Sequence, residues 1–407
     1  MAMYRRVNGS LGELTKAKTL YLFLEDKNSK LRRVVFLYAN VPEPILLERM
    51  AALDGTKRYE THAVFWHRRD STLTIPWSTD IDMARFIRVD LPDPRGWILR
   101  RVALTVLFAL RVRKHLKYLD PDVVVAVYPD MLLASKIAMF GRRTLPIMYE
   151  LWDVQGPERL GFLMRFLMKR LMRRLKSIFV TAKPYESQYL RANHLISEST
   201  RVIYASNSPA NWTYRALSEN DNDRDLVIGY IGQIRQAPQL QNLIHAMETL
   251  REAGIRIKLL IAGGGESKGW IEGLSKNVDF IDYRGPFDFQ LEIEALYSEI
   301  DLMFAVYPQS QFNFRVHWAR RAHQAILSGI PLIVASGSYM GDYIERHGLG
   351  WIAKDDSLHD LEKLLYEVAK DRSKLSSFRT DSESILSEHR FENFQNSVIE
   401  EYDFLYG

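Results

Sequence analysis

Short apolar runs alternate along the chain with longer stretches in which apolar residues return at helical spacing. The run Arg33 to Tyr38 (RVVFLY) predicts a buried strand, and Glu43 to Leu53 the helix after it. Strands are expected at Thr61 to His67, Phe86 to Val89, Val123 to Val127, Leu145 to Glu150, Ile178 to Thr181 and Val202 to Ala205. Between them fall helices at Trp97 to Leu119, Met131 to Phe140, Leu160 to Leu175 and Tyr185 to Ala192, and an earlier strand at Thr19 to Leu24. Strand and helix in alternation imply a parallel, doubly wound sheet.

Asn207 to Arg224 (NSPANWTYRALSENDNDR) breaks the pattern with polar, turn-forming residues and is expected to join two domains. Asp225 to Ile231 restarts it, followed by strands at Lys258 to Ala262, Val278 to Tyr283, Leu302 to Tyr307, Leu332 to Ala335 and Trp351 to Ala353. Helices are expected at Leu240 to Leu250, Leu291 to Tyr297, Trp318 to Leu327 and Tyr343 to His347, and over most of the chain from Ser357. The fold class is therefore α/β, with two doubly wound, Rossmann-like domains in succession. The stretch Leu302 to Ser336 is strand, long loop, helix, tight turn and strand. Its loop lies at the carboxyl end of a strand, where such sheets bind ligands, and a helix N-terminus favours phosphate. Arg315, Arg320 and Arg321 add positive charge there; an ordinary βαβ unit with a solvated basic face has the same pattern.

For 407 residues two domains are the natural division. Cysteine is absent, which excludes disulfides and thiolate sites and suits a reducing cytoplasm. The start, MAMYRRVNGSLGELTKAK, has no apolar core, so no signal peptide is expected, and Val102 to Leu110 is far short of the roughly 20 residues that span a bilayer. The net charge of +5 is mildly basic. In Leu160 to Lys176 (LGFLMRFLMKRLMRRLK) an apolar stripe, widened by Phe162 and Phe166, backs onto Arg165, Lys169, Arg170, Arg173, Arg174 and Lys176. Such a helix can lie on anionic lipid, while its stripe is also needed to cover the sheet. Trp97 to Leu119 has a similar character. Nucleic acid is not an expected partner, because no recognition motif accompanies the basic face. Asp80-Ile81-Asp82 imitates a metal-binding Asp-x-Asp but follows no apolar strand, and the ten histidines show no ligand spacing, so no metal site is expected.

An ordered series of segments resembles glycosyltransferase family 4. It comprises IGYIGQIR (Ile228 to Arg235), LLIAGGG (Leu259 to Gly265), DFIDYRG (Asp279 to Gly285), SEIDLMFAVYP (Ser298 to Pro308), AILSGIPLIVAS (Ala325 to Ser336) and GDYIERHGLGW (Gly341 to Trp351). DPDVVVAVYPDMLLASKIA, LPIMYELWDVQ and RVIYASNSP agree in the first half. The resemblance implies the GT-B fold, with the two domains facing each other across a cleft. Residues 1–208 would bind the acceptor (1–31 as an extension), 209–224 would link, 225–383 would bind the donor, and a helix within 384–407 would cross back. It implies transfer of a hexose or N-acetylhexosamine, with retention, from a nucleotide diphosphate sugar, a UDP-sugar foremost, to a membrane-associated glycolipid or polysaccharide. No metal or other cofactor is implied, since helix dipoles and basic side chains hold the diphosphate. The expected setting is the cytoplasm, peripheral at the inner face of the plasma membrane.

Carried over by position, Arg235, Arg321, Asp130, Glu150 and Asp153 would be catalytic. The donor site would use Gly232, Gln233, Gly263, Gly264, Tyr283, Arg284, Arg321 and Gln324. Phe162, Arg165, Phe166, Lys169, Arg170, Arg173 and Arg174 would meet the membrane. Gln324 stands where the family usually has a ribose-binding glutamate, and no histidine follows Val123 to Val127. Gly263 to Gly265 suit either a phosphate cradle or a tight turn. These departures favour a second reading, a scaffold that binds a partner glycosyltransferase; a nucleotide-sugar epimerase on the same fold is a third, which the interdomain residues match less well than a transferase.

Overall fold

The computed structural model describes residues 31–68, 82–93, 98–141, 145–154, 162–216, 224–235, 237–378, 380 and 382–406. The expected strand Thr19 to Leu24 and most of the stretch Ser71 to Asp82, with Asp80 and Ile81, lie outside them.

The first domain holds β1 (Arg32–Tyr38), α1 (Pro44–Gly55), β2 (Tyr59–Arg68), β3 (Phe86–Leu91), α2 (Ile98–Leu119), β4 (Val123–Val127), α3 (Pro129–Ala138), β5 (Ile147–Leu151), α4 (Phe162–Met172), β6 (Ser177–Val180) and β7 (Arg201–Tyr204). Its seven strands are parallel, in the order β3-β2-β1-β4-β5-β6-β7. The central strands are apolar on both faces because helices cover both sides: all of Val123 to Val127 is buried. The helix expected from Tyr185 is a π-helical turn, Tyr185–Arg191.

The second domain holds β8 (Leu226–Ile231), α5 (Ala237–Glu252), β9 (Ile257–Ala262), α6 (Lys268–Ser275), β10 (Ile281–Gly285), α7 (Phe289–Ser298), β11 (Leu302–Ala305), α8 (Phe312–Val316), α9 (Arg320–Ser328), β12 (Leu332–Ala335), α10 (Tyr339–His347), β13 (Gly350–Ala353), α11 (Leu358–Lys370), α12 (Ser373–Ser377) and α13 (Glu383–His389). Its six parallel strands run β10-β9-β8-β11-β12-β13. The long loop expected before α9 contains the short helix α8, and α6 has no counterpart among the expected elements.

α14 (Phe391–Tyr406) lies on the first domain. Tyr402 is fully buried between the rings of Tyr59 and Phe179, at 5.8 and 5.9 Å. Asp403 accepts from the Tyr59 hydroxyl at 2.6 Å and pairs with Arg58, while Glu401 pairs with Arg201 at 2.8 Å. Residues 209–216, expected as part of a linker, rest on the second domain: Trp212 packs edge-on against Tyr297, and Ala216 N–H donates to the Ser328 carbonyl at 2.8 Å.

In each sheet the strand order reverses direction once, at β1/β4 and at β8/β11. Loops leaving these strands diverge and open a crevice at their carboxyl ends. The two crevices face one another, and a cleft of about 820 Å³ lies between them.

Candidate active site

The second-domain wall begins at Gly232, just past β8. Its φ of +123° suits glycine, and a Cβ there would stand 3.1 Å from Arg321 Nη2. Gly263, with φ +140°, lets the neighbouring loop close: a Cβ on it would overlap the Gly232 carbonyl at 1.9 Å. Gly263 and Gly264 therefore make the tight turn rather than a cradle, and neither lines the cleft.

Arg321, on the first turn of α9, is 8% exposed. Its guanidinium lies over the Tyr230 ring at 4.2 Å and near Tyr307 at 5.8 Å, and Nη1 reaches the Phe304 carbonyl at 3.5 Å. Burial opposes its charge, but the hydroxyls of Tyr307, Tyr230 and Tyr297 outweigh that and raise its pKa. Among the described residues no carboxylate comes within ion-pair distance of it. The same holds for Arg235, which is exposed to the cleft beside Gln233. α9 has Ala319 at its N-cap and no side chain capping its first amides, so they too are open to an anion. Gln324 is buried one turn on: its Oε1 accepts from the Tyr297 hydroxyl at 3.0 Å, and its Nε2 has no partner among the described residues.

The first-domain wall carries Glu43, at the N-cap of α1, and Asp153, past β5. Partial loss of solvent in the cleft raises both carboxyls. Arg235 draws each back down, and they also repel one another. Tyr128, after β4, holds φ +74° and packs with Tyr38 and Trp152, ring centres 6.0 and 5.7 Å away. Asp130 lines the same wall but is paired with Arg101 at 2.6 Å.

Besides Gly263 and Gly264, three expected site residues stand elsewhere. Glu150 points away from the cleft, 1% exposed, accepting from Trp152 Nε1 at 2.7 Å with buried Arg49 at 4.0 Å. Arg284 pairs on the surface with Asp282 and Glu299, at 2.8 and 2.7 Å. Tyr283 donates to the Gly263 carbonyl at 2.9 Å and bolts the turn. β10 is an edge strand two positions from the switch point, and of the residues around its end Phe287 and Phe289, rather than Tyr283 and Arg284, line the cleft. Glu43, Tyr128 and Tyr307 were not expected as site residues. The switch-point rule reaches them, because they follow β1, β4 and β11.

Arg320 spans the domains: it grips Glu48 with two hydrogen bonds, 2.9 and 2.6 Å, both side chains largely buried. Among the described residues no cluster of His, Asp and Glu has a metal-holding arrangement, and no helix is long and apolar enough to cross a membrane.

Comparison with known proteins agrees with this architecture. Residues 216–384, which include Gly232, Arg321 and Gln324, match the family model described as glycosyl transferases group 1. No curated protein sequence matches the chain. Among solved structures it is similar to a sucrose-phosphate synthase from Thermosynechococcus elongatus, at 13% identity and TM-score 0.70, covering 92% of this chain and 99% of that one. It is also similar to Anabaena HepE in complex with UDP-glucose, at 16% identity and TM-score 0.65, covering 91% and 99%. A third is the UDP-GlcNAc 2-epimerase from Neisseria meningitidis bound to UDP-GlcNAc, at 10% identity and TM-score 0.63, covering 92% and 100%. At these identities the likeness is one of fold: two Rossmann-like domains in the GT-B arrangement.

Proposed function

We propose that the protein transfers a hexosyl or N-acetylhexosaminyl group, with retention, from a nucleotide diphosphate sugar of the UDP type to an acceptor on the first-domain wall, as in glycosyltransferase family 4. The observation that carries this reading is Arg321: a buried cation with no carboxylate partner among the described residues, facing Gly232 beside the N-terminus of α9. Charge so placed meets the negative charge that grows on a leaving diphosphate. Arg235 would add to it from the open side. Gln324 would meet the ribose with its unpartnered amide. The bond from the anomeric carbon to the diphosphate breaks, the bond to the acceptor oxygen forms, and the acceptor proton passes to the departing diphosphate on the same face. Asp153 and Glu43 would orient the acceptor. The UDP ligands named for two of the structural neighbours support a uridine donor.

A membrane-associated acceptor is part of the proposal. On α4, Met168, Leu171 and Met172 are buried, so the apolar stripe serves the fold. The outer face keeps Phe166, 59% exposed, with Lys169, Arg170, Arg173 and Arg174 exposed around it. α2 adds exposed Leu99 and Leu110, and Phe140 stands out beyond α3. Together they suit an anionic lipid surface.

Calorimetric titration with UDP, GDP, ADP and CDP tests the donor site. Saturable binding of one nucleotide is expected; binding of none would favour the scaffold that holds a partner enzyme.

A further inference from the structure

The segment after β11 reaches across the cleft, and α8 touches the opposite domain through Asn313. Its Oδ1 accepts from the Val154 backbone N–H and from the Tyr185 hydroxyl, both at 3.0 Å. A backbone N–H can only donate, so the atom facing Val154 must be the amide oxygen. The amide nitrogen is thereby turned to Asp153, whose Oδ1 accepts from it at 3.0 Å. Asp153 has no other hydrogen-bond partner among the described residues, and it opens into the cleft. Asn313 belongs to the second domain and all three of its partners to the first.

The same segment is tied to the proposed diphosphate site. Phe314, next to Asn313, stacks on Tyr307 at 5.3 Å, and Tyr307 lies 5.8 Å from the Arg321 guanidinium. On the other side Phe312 rests on Tyr189 at 6.4 Å. A continuous line of packed groups therefore runs from Arg321 to a carboxylate of the first-domain wall.

We propose that Asn313 is a positioning residue that orients the Asp153 carboxylate toward the acceptor from the donor side of the cleft. This rests on the reading that the cleft joins a nucleotide-sugar donor to an acceptor. An amide fixed by three partners costs little to keep in place, whereas a free aspartate would swing toward Arg235. The groups facing Asp153 are Glu43 from α1, Tyr128 after β4, Tyr185, Arg235 after β8 and Tyr307 after β11. Partial desolvation among them raises its pKa, and the hydrogen bond from Asn313 lowers it. Loss of that bond must raise it further.

The test is the titration of the Asp153 carboxyl, followed by carbon-13 NMR in the aspartate-labelled full chain and assigned with Asp153→Asn. Asn313→Ala is expected to move the Asp153 midpoint upward while leaving UDP affinity unchanged by calorimetry. Tyr185→Phe, which removes one of the pins on Asn313 and keeps its bulk, is expected to move it the same way by less. With the UDP-sugar that proves to be the donor, Asn313→Ala should lower kcat by about tenfold or more at unchanged donor KM, and shift the acid limb of the rate profile upward with the carboxyl. An Asp153 midpoint unmoved in both variants would overturn the proposal. If the wild type bound no nucleotide, the donor reading would fail, and the carboxyl titration would still decide whether Asn313 sets Asp153.

Discussion

Arg321 is held by rings and a carbonyl where a buried arginine ordinarily has a carboxylate. Such a cation is costly alone and gains most when an anion arrives. Arg321→Ala is expected to weaken nucleotide binding and to lower turnover by about tenfold or more, with the thermal midpoint measured alongside to exclude unfolding. Gly232→Ala would force a Cβ to 3.1 Å from Nη2 at a φ of +123°. It should cost about 1–3 kcal/mol in stability, read by denaturant unfolding, and displace Arg321 from the cleft. At this scale sequence was a partial guide. Gly232, Gln233, Arg235, Arg321 and Gln324 line the cleft and were legible through the family resemblance that carried them over by position. Asn313 was not, because PQSQFNFR has no periodicity to show which residue reaches the other domain. Glu150 was misplaced because it still belongs to β5, whose side chains alternate, while Asp153 lies beyond the strand's end.

Among elements, α9, α10 and the C-terminal end of α13 meet through a hydrogen-bonded chain. Tyr343 O–H donates to Glu388 at 3.0 Å, so its oxygen must accept from His389 Nε2 at 3.1 Å. His389 Nδ1 then accepts from His323 Nδ1 at 2.9 Å, and His323 Nε2 accepts from Ser206. Every group is matched only if both imidazoles are neutral. Burial depresses both, His389 to about 3, below the ordinary value near 6.5. A base whose folded pKa is depressed stabilises the fold above its unfolded pKa, and that stability is lost as pH falls. Unfolding free energy should therefore decline from about pH 6.5 downward. The raised carboxyls of Glu43, Glu150 and Asp153 act in the opposite sense at lower pH, so the comparison is between variants. His389→Gln is expected to flatten the slope of denaturant stability between about pH 6.5 and 5; an unchanged slope would contradict the assignment. The strands and most helices were readable from apolar runs. This chain was not, since single serines and histidines carry no pattern until the fold joins them.

For the whole molecule, two open sheets facing across a cleft follow from two successive series of alternating strands and helices, and that much is legible in order and length alone. The closure is not: Arg320 on Glu48 and Asn313 on Asp153 are side-chain matches between distant segments. At the outer surface, vesicle flotation should show binding to anionic lipid that is lost in a variant with Arg173→Glu and Arg174→Glu; equal flotation would remove the membrane part of the proposal. The donor site itself is tested most directly by calorimetric titration of the wild-type chain with UDP, GDP, ADP and CDP. Saturable micromolar binding of one of them, UDP foremost, with loss of affinity in Arg321→Ala, is the expected result. Failure of all four to bind a folded protein would contradict a working nucleotide-sugar site between these domains.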